Sequence, residues 1–215
     1  MIKKYFLLNA LFILSVTSYS EPLDPVKLLS SYVGIDTVNP PGNESRAVDF
    51  YAKIFEEEGI EFSSAESAPG RGNIWARIKG GDLPALILLQ HTDVVPATKK
   101  YWDTDPFVAE IKDGYLYGRG VIDMKGAGIS QLVSFIRLHR SGLSLNRDVV
   151  FVATADEEAG GMFGAGWLID NHPEIFEGAG FVINEGGSGQ IIDGEKVFAI
   201  EITQKVPVWL RFTAV

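Results

Sequence analysis

Uncharged runs and amphipathic stripes alternate along this chain. Residues 149–153, Val149-Val150-Phe151-Val152-Ala153, carry no charge and are rich in β-branched side chains, so they read as a strand buried on both faces. Residues 84–90 form a second uncharged run and read as another central strand, and 180–184 form a third apolar run. Shorter strands are expected at 60–62, 73–78, 197–202 and 206–212. Helical spacing covers 44–58, with Ala47, Val48, Tyr51, Ile54 and Phe55 on one stripe and Gly59 at the stop. It recurs at 127–140 through Ile129, Leu132, Val133 and Ile136, ended by Gly142. Asp24-Pro25 predicts the cap and first turn of a helix through Val33, and a Gly-rich start leads into another at 163–171. Strands alternating with helices over short links predict an α/β layered sheet.

The polar residues at the ends of the apolar runs carry the candidate chemistry. The run at 84–90 ends in His91-Thr92-Asp93, the run at 149–153 leads to Asp156-Glu157-Glu158, and the run at 180–184 leads to Glu185. Asp123 sits in a Gly-flanked loop ahead of the 127–140 helix. In open α/β sheets ligands bind outside the carboxyl ends of the strands. Clustered carboxylates repel one another unless a cation or a shared proton compensates. One imidazole with several carboxylates suits Zn²⁺, with Mn²⁺ or Co²⁺ as alternatives. Asp93 shares a strand face with His91, which lets it take the second ring N–H and fix the tautomer. Taken singly, each residue has a plainer reading: solvated loop acids for 156–158, a turn cap for Asp93, a helix N-cap for Asp123 and a turn residue for Glu185.

Charge and composition narrow the classes. The formal charge is −9 and no Lys/Arg cluster is present, which excludes nucleic acid and anionic membrane as partners. There is no cysteine, so disulfides, thiolate catalysis and cysteine-bound zinc are excluded. Lys3 and Lys4 precede an apolar run at 5–16 and a small-residue exit, predicting a signal peptide at 1–20 cleaved near Ser20. An uncleaved anchor is the alternative. A periplasmic or secreted protein follows, with no membrane association after cleavage.

In order and spacing, His91-Thr92-Asp93, the segment Gly118-Arg119-Gly120-Val121-Ile122-Asp123-Met124-Lys125-Gly126, Ala155-Asp156-Glu157-Glu158 and Asn184-Glu185-Gly186 resemble the successive motifs of one zinc-dependent family. Its members include aminoacylase, glutamate carboxypeptidase, acetylornithine deacetylase and succinyl-diaminopimelate desuccinylase. The Asn39-Pro40-Pro41-Gly42-Asn43 loop and residues 102–107 are similar to family segments too. The resemblance implies a three-layer α/β/α sandwich with a mostly parallel central sheet. It implies two Zn²⁺ ions, one bound by His91 and Glu185, the other by Glu158, with Asp123 bridging. Glu157 would be the general base, Asp93 the outer partner of His91 and Asp123–Met124 a cis peptide.

The implied activity is hydrolysis of amide bonds in peptides or N-acyl amino acids. The family also carries a further metal-binding histidine and a lid and dimerisation domain beyond the range of this chain, with a homodimer as the full-length form. Residues 21–205 are therefore expected to be the N-terminal portion of a catalytic domain and 206–215 the start of the lid, with weak turnover from this chain alone. His139 and His172 are expected to be surface groups. A non-catalytic metal- or peptide-binding fragment is the competing reading. A nucleotide-binding fold rests only on Gly118-Arg119-Gly120 and lacks any GxGxxG or P-loop pattern.

Overall fold

The computed structural model describes residues 23–200 and 212–213. The expected leader at 1–20 lies outside them, as does nearly all of the strand expected at 206–212. Helix α1 (Pro25–Val33) opens where the Asp24 carboxylate accepts from the Val26 and Lys27 amides at 3.0 and 3.2 Å. Helix α2 (Ser45–Glu58) ends at Gly59 in the left-handed region, φ 65°. The Ile60 amide there donates back to Phe55 O at 2.9 Å and buries Ile60 against the helix. That helix-end contact corrects the strand expected at 60–62: strand β1 begins only at Phe62 and runs Phe62–Glu66.

Strands β2 (Gly72–Ile78), β3 (Leu83–His91), β6 (Arg147–Thr154) and β7 (Ala179–Ile183) complete a five-stranded sheet in the order β1-β2-β6-β3-β7. β2 pairs antiparallel with both β1 and β6, while β6, β3 and β7 run parallel. All strands except β2 therefore share one direction, and the sheet is mostly parallel. β6 is buried from Val149 to Thr154, as its unbroken apolar run requires.

One face is covered by α1, α2 and α3 (Gly126–Ser141), whose Tyr51, Phe55 and Phe135 rings close on Phe151 at centroid distances of 5.4, 5.5 and 5.7 Å. On the other face Ile87, Val150 and Val152 pack against Leu168 of α4 (Ala165–Asn171) and Ile175. The result is a three-layer α/β/α sandwich. No helix among the described residues is long and apolar enough to cross a membrane.

Two differences from the sequence pattern have physical causes. β7 is not central: among the described residues it pairs only with β3, and Phe181, Val182 and Ile183 stay 50–62% exposed. An apolar run reports that a strand can be buried, not what covers it. The hairpin of β4 (Glu110–Lys112) with β5 (Tyr115–Tyr117) went unforeseen, as did the pairing of β8 (Ser188–Ile192) with β9 (Glu195–Ala199), although β9 overlaps the strand expected at 197–202. Each turns through an Asp-Gly pair, Asp113-Gly114 and Asp193-Gly194, with both residues at positive φ.

At the start of β6, burial opposes ionisation of Asp148, but the Gly80 amide at 2.8 Å, Arg77 at 2.9 Å and Lys79 at 3.1 Å outweigh it and hold its pKa at about 2. The folded pKa lies below the unfolded value of about 3.9, so the ionised carboxylate stabilises the fold above that pH and the contribution is lost as pH falls through the folded value. Asp148→Asn is expected to cost about 1–2 kcal/mol of unfolding free energy at pH 7. Urea denaturation should show that deficit shrinking by pH 3. A deficit independent of pH would contradict the ionic cause.

Candidate metal centre

Parallel β3, β6 and β7 bring their carboxyl ends to one edge. The register pairs His91 with Thr154, and Leu88 with Ile183, so His91, the 156–158 turn and Glu185 leave the sheet side by side. Asp123 arrives from the segment ahead of α3. There Gly120, at φ 80°, turns the chain, and Lys125 N donates to Gly120 O at 2.8 Å. Met124 and Lys125 point inward and are 1% exposed. The Met124 sulfur lies 3.3 Å from His91 N, and the Lys125 ammonium donates to Tyr32 O and Ile35 O at 3.0 and 2.7 Å. The Asp123 side chain stands outward, 60% exposed, beside His91. The Asp123–Met124 peptide is cis, as the family resemblance implied.

His91 is the hub. Its side chain is 1% exposed, and Nε2 lies 2.9 Å from Asp123 Oδ1, 3.4 Å from Glu185 Oε2 and 3.9 Å from Glu157 Oε2. Ligand atoms from His91, Glu157 and Glu185 all lie within 4.8 Å of one another, and so do those from His91, Asp123 and Glu158. Donors around an ion at about 2.0–2.2 Å stand roughly 3–4 Å apart, so this nitrogen-and-carboxylate set fits a divalent cation such as Zn²⁺. The geometry brings together His91, Asp123, Glu157, Glu158 and Glu185. It does not by itself separate a base from a ligand, since Glu157 belongs to one of the two groups.

Asp93 stands beside the His91 ring, as expected, and its backbone carbonyl stands closer still. His91 Nδ1 is 3.0 Å from the Asp93 backbone carbonyl and 3.4 Å from its carboxylate, so the main chain is the nearer partner of the ring. The Asp93 carboxylate also accepts from the Glu157 amide through Oδ1 and from the Glu158 amide through Oδ2, both at 3.0 Å, and from Asn39 Nδ2 at 2.8 Å. A spacing of two on a strand shows a shared face; it cannot show a partner arriving from 64 or 65 residues away.

Sequence reasoning also missed Glu44 and Arg71 and gave Asn39 and Lys125 no role of their own within the family-like segments; all four are buried and tied to this edge. Glu44, expected only as a helix start, directs its carboxylate inward to the Asp156 amide at 3.2 Å and to Arg71 at 3.2 Å. His139 and His172 stay outside both ligand groups. His172 packs against Trp75 and Trp167, with centroids at 5.0 and 5.3 Å, on the face carrying α4.

The electrostatics are those of a site with too much negative charge. Burial disfavours a charged His91, yet Asp93 and Glu185 overcome it and raise the imidazole to about 11. Burial and then the Asp123 charge push Glu158 up to about 7, and burial likewise raises Glu157. The His91 contact holds Glu185 below the ordinary carboxylate range. An imidazolium cannot ligate, so a cation and the His91 proton compete for the same place. Nearby, burial lowers the Lys125 ammonium to about 7.

The profile of peptidase family M20/M25/M40 matches residues 87–209. Aminoacylase-1B of Rattus norvegicus is 32% identical over 192 residues, 88% of this chain and 46% of that protein. Succinyl-diaminopimelate desuccinylase of Methylorubrum populi is 36% identical over 153 residues, 68% of this chain and 38% of that protein. An M20 family metallo-carboxypeptidase from Sulfolobus solfataricus superposes with a TM-score of 0.65 at 22% identity, covering 77% of this chain and 38% of that one. The chain thus spans about half the length, or less, of the curated relatives it matches.

The hub geometry generates a direct test with Zn²⁺ as the probe. His91→Ala is expected to weaken calorimetric Zn²⁺ binding by more than about 100-fold, because losing an outer partner alone costs about 10–100-fold. His172→Ala should bind as the parent does. Equal losses in the two variants would remove His91 from the centre.

Proposed function

The chain belongs to peptidase family M20/M25/M40, and from that premise we propose that it supplies the catalytic edge of a metal-dependent amide hydrolase acting on N-acyl amino acids or short peptides. The observation that carries the proposal is the convergence of four carboxylates on one buried imidazole. His91, Asp123, Glu158 and Glu185 would hold the Zn²⁺ ions. The chemistry such ions supply when bound is Lewis acidity, which acidifies water and polarises an amide carbonyl.

The remaining work falls to this chain's own groups. Glu157 takes a proton from the attacking water as its oxygen bonds to the acyl carbon, and returns it to the amide nitrogen as the carbon–nitrogen bond breaks. Burial raises its pKa, which suits a base working near neutrality, and its side chain is 49% exposed, open to a substrate. Asp93 keeps the Glu157 and Glu158 main chain against the His91 strand. The Asp93 backbone carbonyl fixes the His91 ring so that Nε2 faces the acids.

Glu157→Gln separates base from ligand. It is expected to lower release of free amino acid from N-acetyl amino acids by about 10²–10⁴-fold while leaving Zn²⁺ affinity close to that of the parent. A parallel fall in affinity would make Glu157 a ligand and refute its role as base. A second reading, a metal- or peptide-binding unit without turnover, is favoured by one observation: His91 is the imidazole in both ligand groups among the described residues. Zn²⁺ binding without any metal-dependent release of amino acid from the parent chain selects it.

We also propose export to the periplasm or exterior, supported by Lys3 and Lys4 followed by the apolar run at 5–16. N-terminal sequencing should find the mature protein starting near Glu21. A product that retains Met1 would refute this.

A further inference from the structure

We propose that Asn39 and Arg71, neither of them a candidate ligand, are positioning residues that aim Glu157 and Glu158 at the metal centre through Asp156 and Asp93. The inference rests on the metal-centre reading above and adds two residues to it. Both side chains are buried: Asn39 is 6% exposed as a residue and the Arg71 side chain 7%. They act through other groups.

The need for them starts at the end of β6. Beyond Thr154 the chain must turn at once if two consecutive glutamates are to face the strand end that carries His91. It turns at Asp156, which sits in the left-handed region at φ 70°, ψ 13°, a conformation that Asp tolerates better than most residues with a Cβ and that hydrogen bonds to its carboxylate hold in place. Two of those carboxylate contacts come from far along the chain and one from nearby. Arg71 Nη2 donates to Asp156 Oδ1, Asn39 Nδ2 donates to the same oxygen at 3.1 Å, and the Phe163 amide donates to Oδ2 at 3.0 Å. The Asp156 amide donates to Glu44 Oε1 at 3.2 Å.

Asn39 then couples this turn to the neighbouring strand. Its amide nitrogen donates to Asp156 at 3.1 Å and to Asp93 Oδ2 at 2.8 Å, so one NH₂ group separates two buried carboxylates that would otherwise repel. Its own Oδ1 accepts from Arg71 Nη1 at 3.2 Å. The backbone binds it in the same place, Asn39 N donating to Val94 O at 2.9 Å. Asp93 in turn receives the Glu157 and Glu158 amides. An unbroken line of contacts therefore runs from Arg71 through Asn39 and Asp156 to Asp93 and the two catalytic-edge glutamates. Arg71 reaches Asp156, Asn39, the Pro41 carbonyl at 2.8 Å and Glu44 at 3.2 Å with one planar fork. A lysine ammonium has no such fork and cannot keep that set.

The test uses the full chain and two readouts other than turnover: calorimetric Zn²⁺ affinity and the visible absorption of the Co²⁺-loaded protein. Asn39→Ala and Arg71→Lys are compared with Asp148→Asn, which loses stability at the opposite end of β6. Each variant is measured at a temperature where its circular dichroism is native. Both positioning variants are expected to weaken Zn²⁺ about 10–100-fold and to shift the Co²⁺ bands, while Asp148→Asn matches the parent in both. A folded Asn39→Ala or Arg71→Lys with parental affinity and spectrum overturns the proposal. If both fail to fold, the network serves the fold alone and the proposal falls as well. A parent chain that binds neither ion removes the metal-centre reading itself, a result distinguishable from the others because no variant is involved.

Discussion

Asp93 is where the structure is held to a single geometry. It is 1% exposed, and its carboxylate accepts from the Glu157 and Glu158 amides in the turn that follows β6 and from the Asn39 side chain. Its backbone carbonyl holds the His91 ring. A buried carboxylate is tolerable only when its lone pairs are occupied by donors. Those donors come from the loop after α1 and from the end of β6. Satisfying one acid therefore aligns two strand ends, and with them the imidazole and both glutamates.

The same edge carries a charge problem that the fold does not resolve internally. Five acids and one imidazole crowd together, and the protein's groups respond by keeping a proton on His91 and raising Glu158 and Glu157. Arg71 compensates Glu44 and Asp156 one layer deeper, and Lys125 serves the carbonyls of Tyr32 and Ile35. Neither cation reaches the cluster around His91 Nε2. A divalent ion displacing the His91 proton would add one positive charge where the carboxylates converge, so the hub imidazole among acids is coherent as a ligand arrangement.

Much of the architecture was legible because it is local. The uncharged run of β6, the capped start of α1 and the glycine stops of α2 and α3 each follow from neighbours within a few residues. The two Asp-Gly hairpins were equally local and equally legible, since both turn residues at positive φ favour that pair, but polar flanks and short strands masked them. Ile60 shows the opposite case. An apolar residue after a helix reads as a strand start, whereas its amide closes the helix end on Phe55.

His91, Asp123, Glu157, Glu158 and Glu185 could be named from the chain alone. Residues at the carboxyl ends of parallel strands must share an edge, and carboxylates with an imidazole have few other reasons to gather there. That much is determined by residue type and by position at an element's end. Tertiary structure alone decided what aims them. Asn39 meets Asp156 across 117 residues, Arg71 meets it across 85 and Lys125 meets Tyr32 across 93. No periodicity or motif encodes such pairs. They exist because each buried polar group must find a partner wherever the packed chain happens to bring one.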